Sequence, residues 1–519
     1  MTSCERKQRL PIGVQSFREI REECGYYVDK TGFALRLVRE GKHYFLSRPR
    51  RFGKSLFVDT LKELFEGNRE LFEGLAVEPQ WDWSEPHPVV WLDFSGVNAT
   101  KEGDLDVDVG EQLRDMENEA GVAPLDASVR GRFRHLIRSL HRRTGRRVAV
   151  LVDEYDKPIL DALRQPKAAR ANRDYLRGLY SVIKSCDAHV RFCFLTGVSK
   201  FSKVNLFSGL NNLKDITLDR RFSSICGYTE GDLDSVFSDR LEGLDRERVR
   251  EWYNGYSWGG KERVYNPFDM LLLLDTHEYS NWWFETGTPT FLIDLLLEKR
   301  VHWHRLDGMV ASGQLLSKFD VGDIAPEALM FQAGYLTVLE RLEVGGRPRY
   351  RLGYPNREVR ESLNSDLLHS VLGAGWQREH QADRLCEALE AGDLAALEDL
   401  LRALLAGIPH QWHGKNPVGT YEGWYASVLY AHFAALGVEV RAEESGSRGR
   451  ADLVVRGYGR VWVFEFKMRE RAGPGAALDQ LMARGYADRY RGLGEPVHLV
   501  GVEFSAETRN LIRFESQIG

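Results

Sequence analysis

A chain of 519 residues that is 43% apolar and 28% charged is long enough for roughly three or four domains and too apolar to be disordered throughout. A net charge of −5, from 71 basic and 76 acidic residues, excludes a uniformly basic nucleic-acid coat but leaves room for a local basic groove. Six cysteines without a CxxC exclude a disulfide-stapled scaffold and read as reduced thiols. The first ten residues lack the apolar core of a signal peptide, and no apolar run approaches the roughly 20 residues of a membrane span. Together these features point to a cytoplasmic protein with no membrane partner.

The first half alternates short apolar runs with amphipathic stretches. Strands are expected at His43–Ser47, Pro88–Ser95, Val148–Asp153 and Val190–Thr196, with a weaker one at Asp215–Leu218. Helices at Leu56–Phe65 and Arg130–Arg143 lie between them. Near-continuous apolar strands separated by helices describe a mostly parallel sheet covered on both faces. After about Cys226 the texture turns helical, with turn clusters at Tyr253–Gly260 and Thr286–Pro289. The aromatic groups Trp252, Tyr253, Tyr256, Trp258, Trp282, Trp283 and Phe284 could stack bases but read more simply as core. Phe331–Ser362 reads as helix, hairpin and helix, with Gly345-Gly346 at the turn. A winged helix and a core helix packed on a plain hairpin share that order. A helix is expected over Glu379–Ala406 and a turn-rich linker over His410–Thr420. His410 and His413 have the spacing of metal ligands, but with no Cys or further His nearby a zinc site is not expected. In the last hundred residues the expectation is a helix at Tyr421–Leu436 and strands at Val438–Glu443, Ala451–Val455 and Arg460–Phe466. A helix at Ala476–Tyr490 and a strand at Val497–Val502 follow. The fold class is therefore α/β multidomain, divided at 1–225, 226–410 and 411–519.

Strand His43–Ser47 runs into Arg48-Pro49-Arg50-Arg51-Phe52-Gly53-Lys54-Ser55 and then a helix. At such a turn the backbone N–H groups of Arg51, Phe52 and Gly53 can cradle phosphate. Lys54 can reach the β- and γ-phosphates, and the Ser55 hydroxyl can bind Mg²⁺. The P-loop consensus places Gly where this chain has Arg48. About a hundred residues later Asp153 and Glu154 close an apolar strand. Asp153 is placed to hold the Mg²⁺ and Glu154 to orient or deprotonate the attacking water. Thr196 and Ser199 end the next strand, where a hydroxyl could contact the γ-phosphate or cap the strand. Arg220 and Arg221 are weak candidates for arginine fingers.

The runs Leu10–Thr31, Phe45–Leu56, Leu151–Leu160, Phe194–Asp219 and Trp283–Leu292 resemble the bacterial AAA-ATPase-like family, whose members usually carry a C-terminal PD-(D/E)XK nuclease-like domain. The resemblance covers most of the chain. It implies a P-loop ATPase of the additional-strand type, tolerance of a non-Gly residue at position 48, and the roles given above for Lys54, Ser55, Asp153 and Glu154.

Near the C-terminus Asp452 opens one strand, and Glu465-Phe466-Lys467 closes the next. Alternation puts Glu465 and Lys467 on one face. Two carboxylates can share a Mg²⁺ (or Mn²⁺) while a lysine stabilises charge on a phosphodiester. This is the D-(x)n-ExK pattern of PD-(D/E)XK nucleases. Glu422 on the preceding helix matches the extra acid of that fold, and Gln480 and Tyr486 resemble its supporting Gln/Tyr helix motif. Residues 440–492 carry 11 Lys/Arg and 7 Asp/Glu, a local balance of +4. The arginines at 448, 450, 469, 471, 484, 489 and 491 could line a phosphate groove or form a solvated face.

The leading expectation is an ATP-binding and ATP-hydrolysing domain, a helical, winged-helix-like middle, and a restriction-endonuclease-like domain that cuts DNA with Mg²⁺. The alternatives are a nucleotide-switched signalling ATPase whose C-terminal fold only binds nucleic acid, and a scaffold that binds nucleotide without turnover. A homo-oligomer in which a neighbouring copy supplies an arginine finger is compatible with each.

Overall fold

A computed structural model describes residues 8–518 apart from 102, 201–209, 211, 260–261, 286–289, 300, 318–323, 373–376, 409–421, 447–448, 491 and 493. The turn cluster Thr286–Pro289 and the segment His410–Thr420, with His410 and His413, lie outside the described residues. The chain divides into two compact units. One comprises Met1–Gly287 with Val310–Asn356, and the other Thr288–Met309 with Arg357–Gly519. The boundary expected at 225/226 falls inside the first unit.

In the first unit β1 (His43–Ser47), β2 (Val89–Asp93), β3 (Val148–Asp153), β4 (Val190–Gly197) and β5 (Lys214–Asp215) form a parallel sheet in the order β2-β3-β4-β1-β5. Every residue of β1 and β3 is buried, as strands covered on both faces require. β4 lies between β1 and β3, which is the additional-strand arrangement. The fifth strand is shorter than expected, two residues at Lys214–Asp215. Helices Glu230–Val236, Arg246–Tyr253 and Pro267–Thr276 follow, capped by Thr229, Asp245 and Asn266. They share a core that includes Leu233, Phe237, Val249, Tyr253, Met270 and Leu274. The unit closes with β6 (Val310–Ser312), helix Pro326–Ala333, β7 (Thr337–Val344) and β8 (Arg347–Gly353), the strands forming a sheet in the order β6-β8-β7. Gly345 and Gly346, both left-handed, make the expected two-residue turn. The helix after the hairpin, Arg357–Leu372, belongs to the second unit.

The helical stretch Glu379–Ala406 is two helices, Gln377–Ala391 and Leu394–Ala406. Gly392 turns left-handed between them, and Asp393 caps the second through Ala395 N and Ala396 N. The second unit's sheet contains β9 (Glu439–Gly446), β10 (Gly449–Gly457), β11 (Arg460–Met468), β12 (Val497–Ser505) and β13 (Asn510–Ile518), in the order β13-β12-β11-β10-β9. Only β11 and β12 run parallel. Edge strand β13 was not anticipated. Helix Glu422–Ala434 covers one face, through Phe433 on Phe464 and Tyr425 stacked on Phe504. Helix Ala476–Arg484 covers the other and stops at left-handed Gly485, short of the Tyr490 end expected. Among the described residues no helix is long and apolar enough to cross a membrane. Cys186, Cys193, Cys226 and Cys386 are free thiols, whereas Cys24, read as reduced, is disulfide-bonded. A count that rules out a stapled scaffold does not rule out one bridge.

Helix Ala476–Arg484 rests directly on Gly501, where a Cβ would meet the Leu478 backbone nitrogen at 2.5 Å. Gly501→Ala should therefore overpack this face and destabilise the second unit by about 1–3 kcal/mol, read as a lower urea midpoint by circular dichroism.

Candidate functional sites

Between β1 and the Lys54–Glu66 helix the chain makes a sharp turn, with Arg51 (φ 67°) and Gly53 (φ 86°) left-handed. Arg48 is not left-handed, so nothing at that position requires glycine. Its side chain turns inward and is fully buried. Nη1 donates to Ser47 O at 2.8 Å and Thr217 O at 3.0 Å, Nη2 donates to Phe222 O at 3.0 Å, and the guanidinium lies 4.1 Å from the Trp258 ring. Burial lowers its pKa to about 10, so it remains charged at neutral pH. Phe52 packs edge-on against Tyr256 and Trp258, and Trp283 Nε1 donates to Arg50 O at 3.1 Å. Five of the seven aromatics read as core are buried, Trp252 and Trp282 pack half-buried against the core, and Tyr256, Trp258 and Trp283 grip the loop.

Lys54 is buried, with Nζ donating to Pro49 O at 3.0 Å. The Ser55 hydroxyl is hydrogen-bonded to Asp153. Burial raises the Asp153 pKa to about 6, against the pull of Ser55 and Lys54. Glu154 takes a left-handed φ of 49°, a strained conformation for a residue with a Cβ, and lines the cavity above the loop. That cavity encloses about 260 Å³. Arg50, Arg51, Gly53, Lys54, Ser55 and Glu154 line it together with apolar Pro11, Val14, Tyr228, Phe268 and Leu271, a mixture that suits a nucleotide's phosphates and base. Ser55 and Asp153 suit the oxygen preference of Mg²⁺.

Thr196, next to last in β4, is fully buried; among the described residues its hydroxyl has no hydrogen-bond partner, and Thr196 does not line the cavity. Ser199 is taken up by Asp156, whose carboxylate accepts from its N–H at 2.6 Å and its hydroxyl at 2.5 Å. Arg221 pairs with Asp219 and Glu40 on the surface.

In the second unit the ends of β10 and β11 converge. Asp452 Oδ2 accepts from Phe466 N at 2.8 Å, and Glu422 Oε1 accepts from Met468 N at 3.2 Å. Glu465 Oε1 accepts from Lys467 Nζ at 2.8 Å and from Gln480 Nε2, while Oε2 is buried without a hydrogen-bond partner among the described residues. Tyr486 donates to Arg450 O at 3.0 Å, bracing the strand that delivers Asp452. Burial and the charge of Asp452 push the Glu465 pKa up to about 7, and burial raises Asp452 as well. For Lys467 burial opposes the charge, but Glu465, Asp452 and Glu422 outweigh it and its pKa is raised. Lys467 is therefore a fixed cation suited to stabilising charge.

Among the described residues no three His, Cys, Asp or Glu side chains form a ready metal cluster. Asp452 and Glu465 with its unpartnered Oε2 nonetheless fit a hard cation that completes its shell from water and substrate. Two acids escaped the sequence reading: Glu503, buried beside Lys467 in the β11/β12 register, and Glu443 on β9, which adds to the charge acting on Asp452. The alternation of Val500–Phe504 signals Glu503. Arg450, Arg489 and Arg469 pair with Glu443, Glu444 and Glu503, so part of the arginine excess balances local acids. Arg448 and Arg491 lie outside the described residues.

Comparison with known proteins agrees with this architecture. A family model described as predicted AAA-ATPase matches residues 11–207, and one described as the PD-(D/E)XK nuclease superfamily matches residues 420–514. The uncharacterized protein in the vnfD 5′ region of Azotobacter chroococcum mcd 1 is 55% identical over 509 residues, covering 98% of each chain. A local match of 33% over 103 residues relates 20% of this chain to 8% of the cellulose synthase operon protein C of Pseudomonas fluorescens SBW25.

Two predictions follow from the electrostatics. Arg48→Gly, although it restores the P-loop consensus, removes the partner of three buried carbonyls and opens a cavity. It should destabilise the first unit by at least about 2 kcal/mol, read as a lower urea midpoint by tryptophan fluorescence. Glu465 has an ordinary pKa of 4.5 and a folded value of about 7, so the folded state holds the proton that the unfolded state has lost. In metal-free buffer its contribution to stability is therefore full below about pH 4.5 and lost as pH rises through about 7. Glu465→Gln should flatten that slope in thermal melts across the range.

Proposed function

The chain belongs to the AAA-ATPase-like family with a C-terminal PD-(D/E)XK nuclease-superfamily domain, and from that premise we propose a cytoplasmic ATP-hydrolysing protein whose C-terminal site cuts DNA with a divalent cation. The observation that carries the reading is Glu465, a buried carboxyl with one oxygen unpartnered, held between Asp452 and a permanently charged Lys467. Such an arrangement is costly unless a cation and a phosphate complete it.

In the nucleotide site, backbone N–H groups of Arg51, Phe52 and Gly53 receive the phosphates. Lys54, now on Pro49 O, would reach the β- and γ-oxygens, and Ser55 with Asp153 would hold the accompanying Mg²⁺. Glu154, turned into the cavity by its left-handed backbone, orients the attacking water. In the C-terminal site Asp452 and Glu465 would hold a divalent cation such as Mg²⁺ or Mn²⁺, which would supply charge stabilisation to the reacting phosphodiester. Gln480 fixes the Glu465 rotamer, and Lys467 balances the charge that develops on the phosphodiester. Nucleotide state governs when cutting is permitted.

Wild-type protein and Glu465→Gln incubated with supercoiled, linear and single-stranded DNA plus Mg²⁺ or Mn²⁺ test the nuclease. The expected result is metal-dependent cutting that falls at least about 100-fold in the variant. No cutting of any substrate by the wild type removes the nuclease reading and leaves a nucleic-acid-binding domain. For the ATPase, Glu154→Gln should lower phosphate release by about 100-fold or more while keeping ATP binding. Equal, negligible rates would indicate a scaffold.

A further inference from the structure

We propose that the solvent face of the sheet β6-β8-β7 is a docking surface for the phosphate backbone of a nucleic-acid strand, separate from the carboxylate site of the second unit. β8 is the central strand of this sheet. Its alternate residues Arg347, Arg349 and Arg351 share one face, and the pleat spaces their side chains about 7 Å apart. The opposite face carries Tyr350 and Leu352, both buried, so the arginine row looks outward.

The register defines what flanks the row. On β7, Val344, Leu342 and Glu340 stand opposite Arg347, Arg349 and Arg351; on β6, Ser312 and Val310 stand opposite Arg349 and Arg351. Val344 is 57% exposed and Val310 is 51% exposed. Glu340 is the one acid on this face among the described residues, and it approaches Arg351 only at 3.6 Å, with both side chains about half exposed. A strand that existed only to close the unit would have no need of three successive outward arginines, because any polar residue serves that purpose.

An evenly spaced row of planar guanidinium forks suits an equally regular row of phosphates, each able to accept two N–H bonds. The exposed aliphatic flanks suit sugar edges. The surface depends on the nucleic-acid reading of the chain only for the choice of probe.

The test uses the full chain in EDTA, so that binding is read without cutting. Anisotropy of short fluorescein-labelled DNA, single-stranded and duplex, is followed through a salt series. The triple variant R347A/R349A/R351A should bind at least 10-fold more weakly and lose about two to three units of salt slope on duplex, since each neutralised phosphate contributes about 0.9. Glu340→Gln frees Arg351 and should tighten binding roughly twofold to fivefold, the worth of one exposed ion pair, which keeps the test decisive if the triple variant folds poorly. Arginine-dependent binding by a wild-type protein that cuts none of the DNAs in Mg²⁺ or Mn²⁺ would remove the nuclease reading alone and leave the surface standing. An unchanged affinity and slope in a folded triple variant would overturn the surface. So would absence of DNA binding by the wild type, or displacement of DNA by polyglutamate at equal charge.

Discussion

A guanidinium taken wholly out of water survives only where other dipoles replace its hydration, and Arg48 meets that condition with three carbonyl oxygens and the face of Trp258. The groups it joins come from the end of β1, from the stretch after β5 and from the turn at Phe222, so one side chain ties the phosphate loop to the edge of the sheet. Phe52 and the Trp283 bond to Arg50 O secure the loop from the helical side. With its base fixed in this way, the loop can place Arg51 and Gly53 in left-handed conformations at the wall of the cavity. A P-loop ordinarily turns on a first glycine; here the turn is held by a buried cation instead.

Desolvation also shapes the second unit, with the opposite sign of charge. A mixed sheet covered by helices on both faces leaves Glu465 buried on β11 beside a half-buried Asp452 on β10; burial raises both pKa values, with Glu422 and Glu443 adding to it at Asp452 and Asp452 adding to it at Glu465. Gln480 and Lys467 satisfy one Glu465 oxygen and leave the other open. Helix Ala476–Arg484 can bring Gln480 that close only because Gly501 lets its backbone settle on the sheet.

Much of this was legible in the residues. β1 and β3 were readable to the residue because strands buried on both faces are continuous apolar runs, and Asp153 closes β3 as expected; Asp452 and Glu465 instead lie inside β10 and β11, which extend two residues beyond the expected runs. Glu379–Ala406 was harder, since Gly392-Asp393 interrupts an apolar period that continues on either side. Edge strand β13 was missed because its half-buried pattern lacks an apolar run. Arg48 looked like a lost glycine because the carbonyls it binds lie about 170 residues away, a distance local pattern cannot bridge. The role of Trp258 and Trp283 was hidden for the same reason: composition marks them as core without showing what they hold.

A loop built around Arg48 that cradles nucleotide is tested most directly by isothermal titration of the full chain with ATP in Mg²⁺. Saturable binding of one ATP per chain is expected, and it should disappear in Lys54→Ala, a variant with an unchanged melting profile. Absence of saturable binding by the wild type, or binding indifferent to Lys54, would contradict it.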